Sequence, residues 1–135
     1  MVKTFWLKIG LNLILIAGAA ASAEAAPSAN VAHGQQIFAR CAGCHTIGRT
    51  GGGTMGPTLN GVVGRKAASV PGFQYSASMR NSGFTWDTPT LGKFLQAPMK
   101  AVPGTKMFFA GIPAPQDQAD LIAFLKQYKA DGSKK

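Results

Sequence analysis

Apolar and polar positions recur at helical intervals in three stretches. In VAHGQQIFARCAGC, residues 31–44, Val31, Gln35, Phe38 and Ala42 fall on one helical spacing. This predicts a helix capped by Ser28 or Asn30 that ends near the two cysteines. The last stretch is the clearest, with Pro115 at its start and Leu121, Phe124 and Leu125 at i, i+3 and i+4. Asp117 and Asp120 stand early in it, Lys126 and Lys129 late, and Gly132 follows, an order of charge that suits a helix dipole. Between the two, Thr88 as a cap and Pro89 as a first-turn proline predict a short helix over TLGKFLQA, stopped by Pro98. One further helical turn is expected over residues 76–81. Residues 48–64 hold seven glycines and Pro57, which is loop composition. No run alternates as a strand does, and no internal repeat is present. The expected class is therefore all-α, a few short helices joined by glycine-rich loops. So little regular structure predicts that something besides helix contacts fills the centre.

The start of the chain belongs to none of these elements. MVKTFWLKIGLNLILIAGAAASAEAAP places Lys3 and Lys8 ahead of an apolar run from Ile9 to Ala21, then repeats a small-residue exit as Ala21-Ser22-Ala23 and Ala23-Glu24-Ala25. Charge, apolar run and small residues in that order describe a secretory signal peptide over residues 1–25, cut after Ala23 or Ala25. The alternative is a retained membrane anchor, but the run is shorter than the roughly 20 residues that a span requires. Residues 26–135 remain as one domain in an exported compartment, the periplasm.

Composition narrows the partners. The chain has a formal charge of +9, and loss of Lys3, Lys8 and Glu24 with the leader lowers it to +8. The basic residues are scattered, without a dense stripe or interleaved aromatics, and export argues against nucleic acid. An acidic protein is the expected partner.

Both cysteines of the chain stand in CAGCH, as Cys41 and Cys44, with one of its two histidines, His45, directly behind. A disulfide there closes too small a loop to restrain the unfolded chain much. A thioredoxin-like redox pair requires a βαβ setting, and a tetrahedral zinc site requires four ligands. C-x-x-C-H is also the signature of covalent c-type haem attachment. On one helical turn both thiols can reach a single porphyrin while the imidazole comes under its iron. Haem c is the reading that uses every residue of the motif, and a buried haem supplies the missing core. The ligand opposite His45 is to be sought among His33, Met55, Met79, Met99 and Met107. His33 is expected to face solvent, and Met55 lies close to His45 in sequence. Met107 sits in VPGTKMFFAG, a loop with glycines at both ends that can carry a side chain inward.

CAGCH, GPTLNGVVGRKA, PGFQY, FTW, PGTKMFFAG and DLIAFLKQY occur in the order found in class I c-type cytochromes. The sequence resembles that family from Gly34 to about Tyr128, above all mitochondrial cytochrome c and its bacterial periplasmic relatives. The resemblance implies a cytochrome c fold around one haem, with His45 and Met107 as iron ligands. It implies that the Pro57 carbonyl receives the His45 ring N–H, and that Arg65, Tyr75 and Trp86 hold a haem propionate. It implies a crossing of the first and last helices near Gly34, Phe38, Leu121, Phe124 and Leu125. Two positions depart from the mitochondrial pattern: Phe94 stands where a tyrosine bonds the methionine sulfur, and Met79 where an asparagine joins an internal water. Arg40, Lys100 and Lys106 match basic docking positions, whereas Met99, Pro113 and Ala114 replace common lysines.

The function implied is that of a soluble, monomeric one-electron carrier. Its expected donor is a quinol-oxidising complex, and its acceptor a terminal oxidase or a photosynthetic reaction centre. The alternative is a haem peroxidase or gas-binding sensor with a labile sixth ligand. Residues 51–56 satisfy G-x-G-x-x-G literally, but no strand precedes them and Pro57 follows, so dinucleotide binding is rejected. The closing Lys134-Lys135 is expected to be a solvated tail.

Overall fold

In the computed structural model, which describes residues 27–49 and 55–135, the first helix begins where Asn30 caps it. The Asn30 side chain accepts the His33 N–H at 3.0 Å, satisfying one of the orphan donors of the first turn. This helix, α1 (Val31–Phe38), is followed by α2 (Ala77–Asn81), α3 (Thr88–Gln96), α4 (Pro98–Ala101) and α5 (Pro115–Leu125). Among the described residues there is no strand, and β-structure is limited to isolated bridges of Lys66 with Thr85 and Tyr128 with Lys134. The all-α expectation holds. The expected leader and the glycines at 51–53 lie outside the described residues.

The buried face of α1 differs from the one that the helical spacing predicts, and agrees with the crossing near Gly34 and Phe38 that the resemblance implies. Gly34 and Ile37 turn inward, with Val31 and Phe38 half-buried, while Gln35 and Ala42 are exposed. The reason is the closeness of α5. A Cβ on Gly34 would stand 2.0 Å from the Asp120 carbonyl oxygen, so only glycine permits this approach. Phe38 and Phe124 then pack with ring centroids 5.4 Å apart, and Leu121, Ile122, Phe124 and Leu125 are all buried.

His33 corrects another expectation. It does not simply face solvent, because its Nδ1 lies 2.8 Å from Oδ2 of Asp120. Asp120 is only 2 % exposed. It is thus not a surface charge for the helix dipole but an inter-helix tie, also accepting the Asn30 N–H at 2.7 Å and the Gln116 amide at 2.8 Å. α5 stops at Leu125, so Lys129 lies beyond it.

Asp87, one residue before the expected Thr88, caps α3 by accepting the Thr90 N–H at 2.8 Å. Its Leu91, Phe94 and Leu95 are buried at i, i+3 and i+4. Pro98 ends α3 as expected, but it also opens α4, because a proline fits a first helical turn as well as it stops a helix. The closing lysines do not form a free tail. The Lys135 N–H donates to the Gln127 carbonyl at 2.8 Å, and Lys134 Nζ stands 5.5 Å from the centre of the Tyr128 ring.

Candidate cofactor site

Helical bonding does not stop with α1. Cys41 and Ala42 donate to the Phe38 carbonyl, and Cys44 and His45 both donate to the Cys41 carbonyl, at 2.8–3.1 Å. One continuous turn therefore carries both thiols and the imidazole, as the spacing predicts. The two cysteines are not joined in a disulfide.

All three residues line one cavity of about 310 Å³. Its wall is otherwise largely apolar, formed by side chains such as Leu59, Val62, Met79, Leu91, Phe94 and Leu121. The cavity also receives Pro57, Arg65, Tyr75, Trp86 and Met107, so every site residue expected from sequence meets there. Of the other candidate iron ligands, Met55 and Met79 reach its lining, while Met99 and His33 do not. Met55 is 73 % exposed, so it stands at the mouth.

The orientation of His45 has a definite cause. Its Nδ1 lies 2.8 Å from the Pro57 carbonyl. A carbonyl only accepts, so Nδ1 carries the proton and Nε2 keeps its lone pair. Gly56 provides the seat: a Cβ there would lie 2.5 Å from Cε1 of the ring and 2.7 Å from Nδ1. Burial pushes His45 below the usual histidine range, with the Arg65 charge adding to that effect and the Pro57 bond opposing it. The neutral, metal-binding form is thereby favoured.

Arg65 and Trp86 reach the same wall because their backbones pair. The Trp86 N–H donates to the Arg65 carbonyl and the Gly64 N–H to the Trp86 carbonyl, both at 2.8 Å. Trp86 is then held edge-on between Phe84 and Phe94, at 4.7 and 4.9 Å. The Arg65 guanidinium donates Nη1 to the Asn60 carbonyl at 2.7 Å and Nη2 to the Thr58 carbonyl at 3.0 Å. Its Nε is buried without a partner. The Tyr75 hydroxyl accepts the Val70 N–H at 3.2 Å and keeps its own proton to donate. The Met107 loop is anchored by the buried Thr105, whose hydroxyl accepts the Met107 N–H at 3.3 Å.

These residues fit a haem. The cavity offers apolar walls for a ring, two thiols for its vinyl groups, an imidazole lone pair for its metal, and an unpartnered buried cationic N–H for an anionic substituent. The cytochrome c family model matches residues 31–129. This chain belongs to the cytochrome c family. A cytochrome c2 of Rhodoblastus acidophilus is 50 % identical over 101 residues, covering 75 % of this chain and 94 % of the relative. The cytochrome c of Cannabis sativa is 45 % identical over 111 residues, covering 82 % of this chain and the whole relative. The solved cytochrome cH from Methylobacterium extorquens shares 45 % identity and a TM-score of 0.66, over 72 % of this chain and 97 % of that one. As a member, the chain carries one haem c joined through Cys41 and Cys44, and its role is electron transfer, not enzymatic catalysis.

Sequence reasoning missed Gly56, Asn60 and Asp120 as functional supports. Gly56 stands beside Pro57 in a loop full of glycines, where nothing marks one as special. Asp120 acts through partners far away in the chain and Asn60 through Gly48, twelve positions back, neither of which a local pattern announces.

Proposed function

We propose that this cytochrome is an exported one-electron carrier whose haem iron is held by His45 Nε2 and the Met107 sulfur. When bound, the haem supplies an iron that moves between Fe(II) and Fe(III). The protein's part is to keep the geometry unchanged between the two. Pro57 and Gly56 fix the imidazole plane, and Thr105 steadies the backbone that carries Met107. The apolar wall excludes water, and thioether sulfur raises the potential relative to most haem ligand sets. Arg65 Nε and the Tyr75 hydroxyl are donors suited to a propionate. The observation that carries this reading is the Nδ1–H···O=C bond from His45 to Pro57, which leaves the other ring nitrogen as the only one free to bind metal.

In this reading residues 1–25 are a cleaved signal peptide and residues 26–135 the periplasmic domain. A quinol-oxidising complex is the donor, and a terminal oxidase or photosynthetic reaction centre the acceptor. No helix of the described residues is long and apolar enough to cross a membrane. The sulfur assignment is tested by near-infrared absorption of the oxidised, natively matured protein. Met107→Ala is expected to abolish the sulfur-to-iron band, and Met55→Leu and Met79→Leu to retain it. A band that survives in Met107→Ala overturns the assignment. Mass spectrometry of the same protein reads leader removal and haem addition together.

A further inference from the structure

We propose that residues 128–135 form a hook that fixes the loop pair presenting His45, with Asn60 and Gly132 as positioning residues for the imidazole. The hook is a built structure, not a frayed end. Past α5 the chain reverses: the Lys129 N–H donates to the Ser133 carbonyl at 2.8 Å and the Gly132 N–H to the Lys129 carbonyl at 3.0 Å. The Asp131 carboxylate ties the turn by accepting from the Ser133 N–H at 2.9 Å and the Ser133 hydroxyl at 2.7 Å. Lys135 N–H closes it on the Gln127 carbonyl at 2.8 Å.

The turn then bears on two runs of chain near the cofactor. The Gly61 N–H donates to the Tyr128 carbonyl at 3.2 Å. Gly132 is buried, with a φ of +79° that a glycine adopts freely. A Cβ on it would lie 2.3 Å from the Gly48 carbonyl oxygen and 2.9 Å from the Asn60 amide nitrogen. A Cβ on Gly61 would meet the Ala130 backbone nitrogen at 2.9 Å. At both glycines the nearest atoms are backbone, of Gly48 and of Ala130, which cannot give way as a flexible side chain can.

What the hook presses on is a ladder that ends at the imidazole. Asn60 binds Gly48 through both ends of its amide, accepting the N–H and donating to the carbonyl, each at 2.8 Å. The next rungs are the Leu59 N–H to the Thr46 carbonyl at 2.9 Å, the His45 Nδ1–H to the Pro57 carbonyl at 2.8 Å, and the Gly56 N–H to the Cys44 carbonyl at 2.9 Å. The ring bond is therefore one rung of a ladder whose other end the C-terminus holds. Asn60 also meets the site by a second route, since its carbonyl receives Arg65 Nη1. Loosening the hook frees the Gly48–Asn60 end and lets the imidazole plane drift while α1 and α5 remain packed.

The proposal rests on the reading of His45 as an iron ligand, and the test separates the two. Haem-loaded full-length protein is compared with Asn60→Leu, Gly132→Val and a variant lacking residues 131–135. Amide exchange by NMR is expected to accelerate about tenfold at Leu59 and Gly61, the effect of losing a local closure, while the amides of α5 keep their protection. The iron-shifted ring N–H resonance of His45 and the reduction potential move in the same variants. Unchanged exchange and resonance overturn the hook, and so does equal acceleration in α1 and α5, which reports general destabilisation. Should Gly132→Val fail to fold, Asn60→Leu and the shortened chain decide. If His45 were not the ligand, the iron-shifted resonance would be missing from the unsubstituted protein; failure of the hook alone leaves it present and unmoved.

Discussion

Gly56 shows how one missing side chain sets the chemistry of another residue. The His45 ring lies where a Gly56 Cβ would be, 2.5 Å from Cε1, and the contact is with ring atoms that have no room to retreat without breaking the Pro57 bond. Gly56→Ala is therefore expected to destabilise the protein by about 1–3 kcal/mol, the range for overpacking a filled site. It is also expected to displace the iron-shifted His45 resonance. Gly43, in the turn between the thiols, has nothing within 4 Å of its would-be Cβ. Gly43→Ala serves as control and is expected within about 0.5 kcal/mol of the parent. Urea denaturation of the haem-loaded variants measures both, and equal midpoints for the two glycine variants would refute the seat. The C-x-x-C-H spacing places two thiols and an imidazole on one turn, so those three residues are legible without any structure. Gly56 is not legible in that way, because its contribution is empty space beside a ring eleven positions earlier in the chain.

At the level of elements, the α1–α5 pair depends on the buried Asp120 carboxylate. The Asn30 N–H, then His33, with Gln116 adding a smaller contribution, hold it below the usual carboxylate range. A carboxyl whose pKa is lower folded than unfolded binds fewer protons in the native state. Its contribution is complete above the unfolded value of about 3.9 and disappears as pH falls through the folded one. Asp120→Asn is therefore expected to lower the urea midpoint at pH 7 and to make stability fall less steeply below about pH 4. Asp87 and Asp131, also held low, preserve part of that slope. A variant with the parent's acid limb would show that Asp120 does not couple the helices to pH. Both helices can be read from periodicity, and the cap of α1 is narrowed to Ser28 or Asn30, of which the structure uses Asn30, yet the face of α1 cannot be read from its spacing. Gly34 and Ile37 are buried in place of Gln35 and Ala42 because α5 comes within a glycine's reach, a tertiary fact absent from the local pattern. Asp120 misleads for a related reason, since its place in the helix suits a dipole charge while its neighbours make it an inter-helix acceptor.

For the whole molecule, the proposed function makes the cavity mouth the place where an electron partner would be met. Arg40, Lys106, Met55 and Phe108 are exposed residues that also line the cavity, so they stand at its rim. Among the described residues, no acidic side chain lines it. Phe108 is 88 % exposed and adjoins Met107, which places a large bare ring directly beside the proposed iron ligand. Arg40 is partly engaged, its guanidinium lying 5.2 Å from the centre of the Phe109 ring. The rim therefore carries two cations, Arg40 and Lys106, beside two exposed apolar side chains, Met55 and Phe108. Long-range attraction to an acidic partner is screened by salt over roughly 8 Å at physiological ionic strength, while burial of a phenyl ring is not. Two substitutions should separate these contributions in stopped-flow oxidation by an acidic redox protein. Lys106→Gln is expected to flatten the dependence of the second-order rate on ionic strength. Phe108→Ala is expected to slow the reaction about five- to tenfold at every ionic strength, as removal of a buried interface anchor does, with the salt slope preserved. If Phe108→Ala leaves the rate unaltered at high salt, where electrostatic guidance is weakest, the exposed ring takes no part in docking and the basic rim alone must account for recognition.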